Sequence, residues 1–228
     1  MSVILYNLRL ETYAYFANRC GSSTAIDMAM RLHPPWLRNN NPTDDSFRLK
    51  MLASGRPIIL VGRDPVSWLA SGYRYTAQRD MGQTIFYRSW ESHLAAAVER
   101  NAQHRSHEYT KPVNSWDNHT WMPPALQLAR PWEQATHRLR VEDCNIVDYI
   151  TLGSPKWRNL LETWFDTDDP QHFVGDVNAS VLPMPKLTKG VKYLIEHLLK
   201  DWDTGFYRYN LEHSFEQYQR AYHATQDK

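Results

Sequence analysis

The sequence predicts an α/β protein that has a small central parallel sheet flanked by helices. Two β-like runs, residues 12–17 and 57–61, each lead through a turn into a segment whose apolar residues have helical spacing. The chain has 228 residues, a length that suits one domain with a sizeable core. We therefore expect a single domain over residues 1–228.

The other elements follow from apolar periodicity and from residues typical of helix ends. Residues 22–32 form the first predicted helix, which Pro34 and Pro35 end. The polar stretch 36–45 predicts a loop, with Asp45 capping the next helix. The helix that Asp45 caps is predicted to end at 53. Further helices are predicted at 66–78, 87–100, 156–165, 188–200 and 211–224, and a short helix capped by Asp143 at 145–150. A polar loop is predicted at 102–118 and a short strand at 138–141.

Composition narrows the range of partners. The net charge of +1 gives no general attraction for nucleic acid or for an anionic membrane, and no apolar run approaches the length of a membrane span. The N-terminus shows no signal-peptide pattern. The two cysteines lack CxxC spacing and the ten histidines show no metal-ligand spacing. We expect a soluble, reduced, cytoplasmic protein without a metal, and with neither nucleic acid nor membrane as partner.

The first turn, residues 17–24, consists mostly of small residues between a strand and a helix. Such a turn exposes backbone amides at a helix N-terminus, where the helix dipole favours a phosphate. Gly21 permits close backbone approach, and Arg19 adds forked donors and a positive charge. Cys20 is a small spacer or, alternatively, a thiolate stabilised by the helix. The candidate anion-binding residues are Arg19, Cys20, Gly21, Ser22, Ser23 and Thr24.

The second turn, Arg63-Asp64-Pro65, follows the second apolar run, and Ser71 lies eight residues beyond Arg63. Ligands in open α/β sheets collect beyond the carboxyl ends of the strands, so we expect Arg63 to reach the same crevice as the first turn. Each turn alone has an ordinary explanation: a capped helix start, or a surface ion pair between Arg63 and Asp64. Together they predict a ligand that carries phosphates at both ends.

These two turns resemble the nucleotide-binding segments of sulfotransferases that use 3′-phosphoadenosine 5′-phosphosulfate (PAPS). Residues 19–24 resemble the 5′-phosphosulfate loop, most closely the version in carbohydrate and protein-tyrosine sulfotransferases, and residues 63–73 resemble the 3′-phosphate segment. The resemblance implies a P-loop-nucleotide-kinase-like fold and PAPS as sulfuryl donor. It also implies that Arg63 and Ser71 contact the 3′-phosphate, and that Arg19 and its loop hold the 5′-phosphosulfate.

Weaker similarities to Golgi-type carbohydrate sulfotransferases occur downstream, at 118–123, 177–180 and 199–209. Sulfuryl transfer needs stabilisation of the leaving phosphate, which suits Arg19, and a base for the acceptor hydroxyl. His119, in the first of these segments, is the first candidate base; a hydrogen-bonded structural role is its alternative. Other candidates considered as bases are His33, Asp44, Asp45, Glu142 and Asp143.

The sequence therefore predicts an enzyme that transfers a sulfuryl group from PAPS to a hydroxyl of a carbohydrate or small metabolite. Two alternatives stay open. One is a non-catalytic nucleotide-binding module of the same fold. The other is a divergent phosphate-loop kinase, although GxxxxGK[ST] and GxGxxG are both absent. The acceptor and the oligomeric state are left open.

Overall fold

The computed structural model describes residues 3–17, 19–40, 45–79, 89–105, 143–168, 170, 182–200 and 211–226. Within these ranges the protein is α/β, with a five-stranded mixed sheet and seven helices. The residues group into two units, one formed by Met1–Arg63 and Pro124–Ala179 and the other by Asp64–Pro123 and Ser180–Lys228. The predicted α/β class is confirmed, whereas the single domain stays a prediction.

The elements follow one another along the chain in this order: β1 (Val3–Asn7), β2 (Thr12–Phe16), α1 (Ser22–Leu32), β3 (Leu37–Asn40), α2 (Asp45–Ala53), β4 (Ile58–Gly62), α3 (Pro65–Arg79), α4 (Trp90–Arg105), β5 (Ile146–Thr151), α5 (Pro155–Phe165), α6 (Lys189–Lys200) and α7 (Leu211–Gln226). All five strands, with α1, α2 and α5, belong to the first unit, and the other helices form the second.

The strand order in the sheet is β3-β1-β2-β4-β5. β2, β4 and β5 are parallel to one another, as predicted for the sheet as a whole, but β1 is antiparallel to both β2 and β3. The polar stretch 37–40 was predicted as loop and is instead β3. Within the described residues β3 pairs only with β1, and a strand at the edge of a sheet does not need an apolar sequence.

Residues 145–150 were predicted as a short helix, and this prediction is wrong because residues 146–151 form β5. Main-chain pairing with β4 decides the conformation here, and it buries Ile150 beside Val61. Short apolar runs are ambiguous between helix and strand until such a partner is known. Asp143 therefore precedes a strand and does not cap a helix.

The helix predictions are largely confirmed. α1 has the predicted bounds, and α2, α5 and α6 begin and end within a residue of theirs. α3 and α7 extend slightly further, and α4 continues to Arg105, into the segment predicted as loop. The strand predicted at 138–141 lies outside the described residues.

One cluster of buried residues in the first unit lies on one face of the sheet. Phe16, Val61 and Ile150 occupy adjacent positions on three parallel strands. α1 and α5 cover this row, and the Trp157 ring of α5 meets the Phe16 ring edge-on, with centroids 5.8 Å apart. The buried row anchors the carboxyl ends of the central strands, where the two predicted turns begin.

The second unit consists of α3, α4, α6 and α7. The rings of Trp90 and Tyr218 pack with centroids 5.5 Å apart. The segment before α6 is held by two hydrogen bonds, from Arg74 Nε to the Leu182 carbonyl at 2.7 Å and from the Tyr218 hydroxyl to the Pro185 carbonyl at 2.9 Å. Side-chain donors thus satisfy two carbonyls of this irregular segment.

Candidate anion-binding site

The site is defined by the pairing of β2 with β4. The two strands are parallel neighbours with Phe16 opposite Val61, and the Ala17 amide continues the ladder to the Val61 carbonyl at 3.1 Å. β2 connects through α1 to β3 on one side of this pair, while β5 lies on the other side. Divergent connections of this kind open a crevice at the carboxyl ends of the strands, where open α/β sheets bind ligands.

The described residues of the β2–α1 loop, 17 and 19–21, turn sharply into the helix. The Cys20 amide donates to the Ala17 carbonyl at 3.1 Å, and both Arg19 and Gly21 have left-handed backbone conformations, with φ of 65° and 80°. The first bond of the helix runs from the Ala25 amide to the Gly21 carbonyl at 3.0 Å. Helix geometry leaves the amides of residues 22–24 outside the intrahelical ladder. The loop therefore has the backbone arrangement of an anion site.

Gly21 is required in this loop for two reasons. Its φ of 80° is strained for any residue with a Cβ. A Cβ there would also lie 2.7 Å from Cη2 of Trp157 and 2.9 Å from Cδ1 of Leu152. The loop is thus in close contact with the junction between β5 and α5.

Arg19 and Arg63 act on one point of the loop, the thiol of Cys20. The Cys20 side chain is fully buried, and this burial raises its pKa to about 12, while the positive charges of Arg63 and then Arg19 oppose the rise. The thiol is therefore protonated at neutral pH, which favours the spacer role over a thiolate. The ends of the two strands lie side by side, since Phe16 pairs with Val61 and the Ala17 amide donates to the Val61 carbonyl, and the charges of both arginines act on the Cys20 thiol.

The remaining residues of the second turn form the start of α3 and its cap. The Asp64 carboxylate accepts a hydrogen bond from the Ser67 amide at 2.9 Å and caps this helix, which begins at Pro65 as predicted. The capping role accounts for Asp64 without an ion pair to Arg63. Ser71 lies half-buried on α3, in the second unit.

The candidate bases fall into three groups. His119, Asp44 and Glu142 lie outside the described residues, as do segments 118–123 and 177–180 and most of 199–209. Two others, His33 at the end of α1 and Asp143 before β5, lie at the amino ends of the parallel strands, away from the two turns. Asp45 is the first residue of α2, the position where a helix start was predicted.

Tyr149 is a residue near the candidate site that was not predicted from the sequence. This residue lies on β5 beside β4, and its hydroxyl covers the Cα of Gly62 so closely that a Cβ at position 62 would overlap it. The phenol therefore stands one residue from Arg63, at the carboxyl end of β4. The β-branched and aromatic residues of 146–151 were the signal that would have placed Tyr149 on a strand.

No protein-family model, curated protein or solved structure matches this chain. In the part of the chain that the structure describes, no helix combines the length and apolar character needed to cross a membrane. The same residues contain no group of three or more His, Cys, Asp or Glu side chains suited to a metal ion.

The contacts of Gly21 predict the effect of adding a single methyl group. Gly21→Ala combines an unfavourable φ with overlap of Trp157 and Leu152, so we expect a loss of about 2–4 kcal/mol in the free energy of unfolding. Gly153→Ala is the matched control, because Gly153 has φ of 81° but no atom within 4 Å of the added Cβ. We expect this control to lose only about 1 kcal/mol. Equal losses in urea unfolding would contradict the close packing of the loop.

The raised pKa of Cys20 predicts a stability change at alkaline pH. The unfolded chain releases the thiol proton near pH 9.0, while the folded chain keeps it to about 12. The folded state therefore binds more protons above pH 9, and its stability falls as pH rises through this window. Between pH 8.5 and 10.5 we expect the wild type to lose about 2 kcal/mol more than Cys20→Ala. Parallel unfolding curves for the two proteins would show that the thiol is not desolvated.

Proposed function

We propose that this chain is a sulfotransferase that uses PAPS as donor and a hydroxyl of a carbohydrate or small metabolite as acceptor. The observation that carries the proposal is that the loop with Arg19 and the turn that begins at Arg63 follow two adjacent parallel strands at the same edge of the sheet. One arginine belongs to a helix-start loop and the other follows the neighbouring strand. This arrangement supports a ligand with one anionic group at each turn.

The two turns suit different ends of the donor. The β2–α1 loop offers helix-start amides and a forked guanidinium, which together match the oxygens of a phosphosulfate. Arg63 has its own turn, so a second phosphate can be bound without competing for those amides. We assign the 3′-phosphate to Arg63; that Ser71 also contacts it is what the motif resemblance implies. The loop contains no Walker-type lysine, which makes the kinase alternative less attractive.

The transfer itself would proceed by in-line displacement. The acceptor oxygen forms a bond to sulfur, the bond from sulfur to the bridging phosphate oxygen breaks, and negative charge builds on the departing phosphate. Arg19 and the loop amides are fixed in advance beside that phosphate and stabilise the new charge. In this proposal His119 accepts the proton of the acceptor hydroxyl.

Nucleotide binding tests the assignment of Arg63. In titration calorimetry with 3′-phosphoadenosine 5′-phosphate we expect the wild type to bind, and Arg63→Ala to weaken binding about 10–100-fold because a charge-assisted hydrogen bond is lost. Adenosine 5′-phosphate, which lacks the 3′-phosphate, should lose far less. Equal losses for both nucleotides would argue against a 3′-phosphate contact, and no binding by folded wild type would refute the proposed donor.

Arg31→Ala is the matched control for this experiment. Arg31 lies in the last turn of α1, is 60% exposed and forms an ion pair with Asp27 at 2.9 Å. Its removal changes the net charge by the same amount as Arg63→Ala but leaves the two turns intact. We expect its nucleotide affinity to stay within about twofold of the wild type.

Transfer from labelled PAPS to a panel of hydroxyl acceptors tests the reaction. We expect sulfated product with the wild type, and a loss of about 10²–10⁴-fold in kcat for His119→Ala with little change in donor affinity. Binding of the nucleotide without transfer to any acceptor would favour the non-catalytic module. Transfer that is unchanged in His119→Ala would remove this histidine from the mechanism.

A further inference from the structure

We propose that Trp157 is a positioning residue for the β2–α1 loop, an inference that rests on the proposed function. Its indole holds residues 19–21 in the conformation that binds the anionic end of the donor. Trp157 lies far from this loop in the sequence and itself carries no charge for a phosphate. Its role would be exerted through Gly21.

The indole is fixed on several sides. Ser154 caps α5 by accepting a hydrogen bond from the Trp157 amide at 3.2 Å, which sets the start of the helix. The Trp157 side chain is buried, and its ring meets that of Phe16, the last residue of β2. The outer edge of the indole faces Gly21, since an added Cβ there would lie 2.7 Å from Cη2 and 3.1 Å from Cζ2.

The loop needs such support because its backbone is strained. Arg19 has φ of 65° although it is not glycine, and conformations of this kind persist only when the surroundings impose them. Gly21, two residues further, is also left-handed. Trp157 and Leu152 together form a wall against Gly21. Without this wall, Arg19 and Gly21 would gain access to other backbone conformations, and the amides of the loop and the Arg19 guanidinium would lose their fixed directions.

Leu152, the other residue that packs against Gly21, also contacts the end of β4 directly before Arg63. The Leu152 amide donates to the Gly62 carbonyl at 2.9 Å, directly before Arg63, while its side chain packs on Gly21. The junction between β5 and α5 therefore contacts both turns of the site. A substitution in this junction should therefore weaken ligand binding more than a substitution of an equally buried residue elsewhere in the core.

Trp157→Phe tests the role because phenylalanine lacks the indole atoms that touch Gly21. Trp164→Phe is the matched control: Trp164 lies seven residues later on α5 and is buried in the same core, and the substitution leaves its main-chain carbonyl, which accepts a hydrogen bond from Trp36 Nε1 at 3.0 Å, in place. The readouts are the urea midpoint and calorimetry with 3′-phosphoadenosine 5′-phosphate. We expect both variants to lower the midpoint, but only Trp157→Phe to weaken nucleotide binding, by about tenfold, because the ligand must then order the loop.

A double variant supplies a signature that general destabilisation would not produce. In Gly21→Ala with Trp157→Phe, the new methyl group enters the space that the smaller ring leaves. We expect this variant to exceed Gly21→Ala alone in both urea midpoint and nucleotide affinity. Gly21→Ala combined with Trp164→Phe should show no such recovery.

The outcomes separate this inference from the proposed function. If folded wild type does not bind the nucleotide, the proposed donor is wrong, and the positioning role falls with it even where the midpoints show coupling between Gly21 and Trp157. If the wild type binds but Trp157→Phe and Trp164→Phe lose affinity equally, or neither does, the positioning role alone is overturned. Should Trp157→Phe fail to fold, Leu152→Ala removes the other side of the same wall, and unchanged nucleotide affinity in that variant would overturn the role.

Discussion

The parallel pairing of β2 with β4 is the constraint on which the candidate site depends. It places the end of β2, with its loop and helix start, beside the end of β4, with Arg63. The row formed by Phe16, Val61 and Ile150 stabilises this pairing from one face of the sheet. Because register in a buried sheet is strongly specified, the relative position of the two turns is set by the core and not by either turn.

The positive charge of the candidate site depends on the charge state of Cys20, the buried residue next to Arg19 and Arg63. Cys20 is fully buried, and burial raises the pKa of its thiol more than the charges of Arg63 and Arg19 lower it, so the thiol stays protonated at neutral pH. It therefore supplies no negative charge to Arg19 or Arg63. A carboxylate in the same position would neutralise them, so a small apolar residue is the choice that preserves the attraction for an anionic ligand.

The elements that sequence reasoning predicted well are those in which local signals suffice. α1 and the strands before each turn have apolar periodicity, flanking breakers and glycine at the required place, so their positions needed no knowledge of distant residues. β3 and β5 were not predicted in this way. β3 is polar and exists through its pairing with β1. The β-branched and aromatic residues of β5 favour a strand, but the run is short, and its pairing with β4 decides the conformation. Tyr149 was missed for the same reason, since its position follows from β5.

The sequence by itself determined the chemistry of the two turns: a small-residue loop with Arg19 and Gly21 before a helix, and Arg63 after an apolar strand. These features are local, because backbone donors, charge and permissive φ depend on residues close together in the chain. Only the tertiary structure decided that the ends of β2 and β4 lie side by side, and that Trp157 and Leu152 pack against Gly21. Such contacts join distant segments through strand pairing and core packing, which no local pattern specifies.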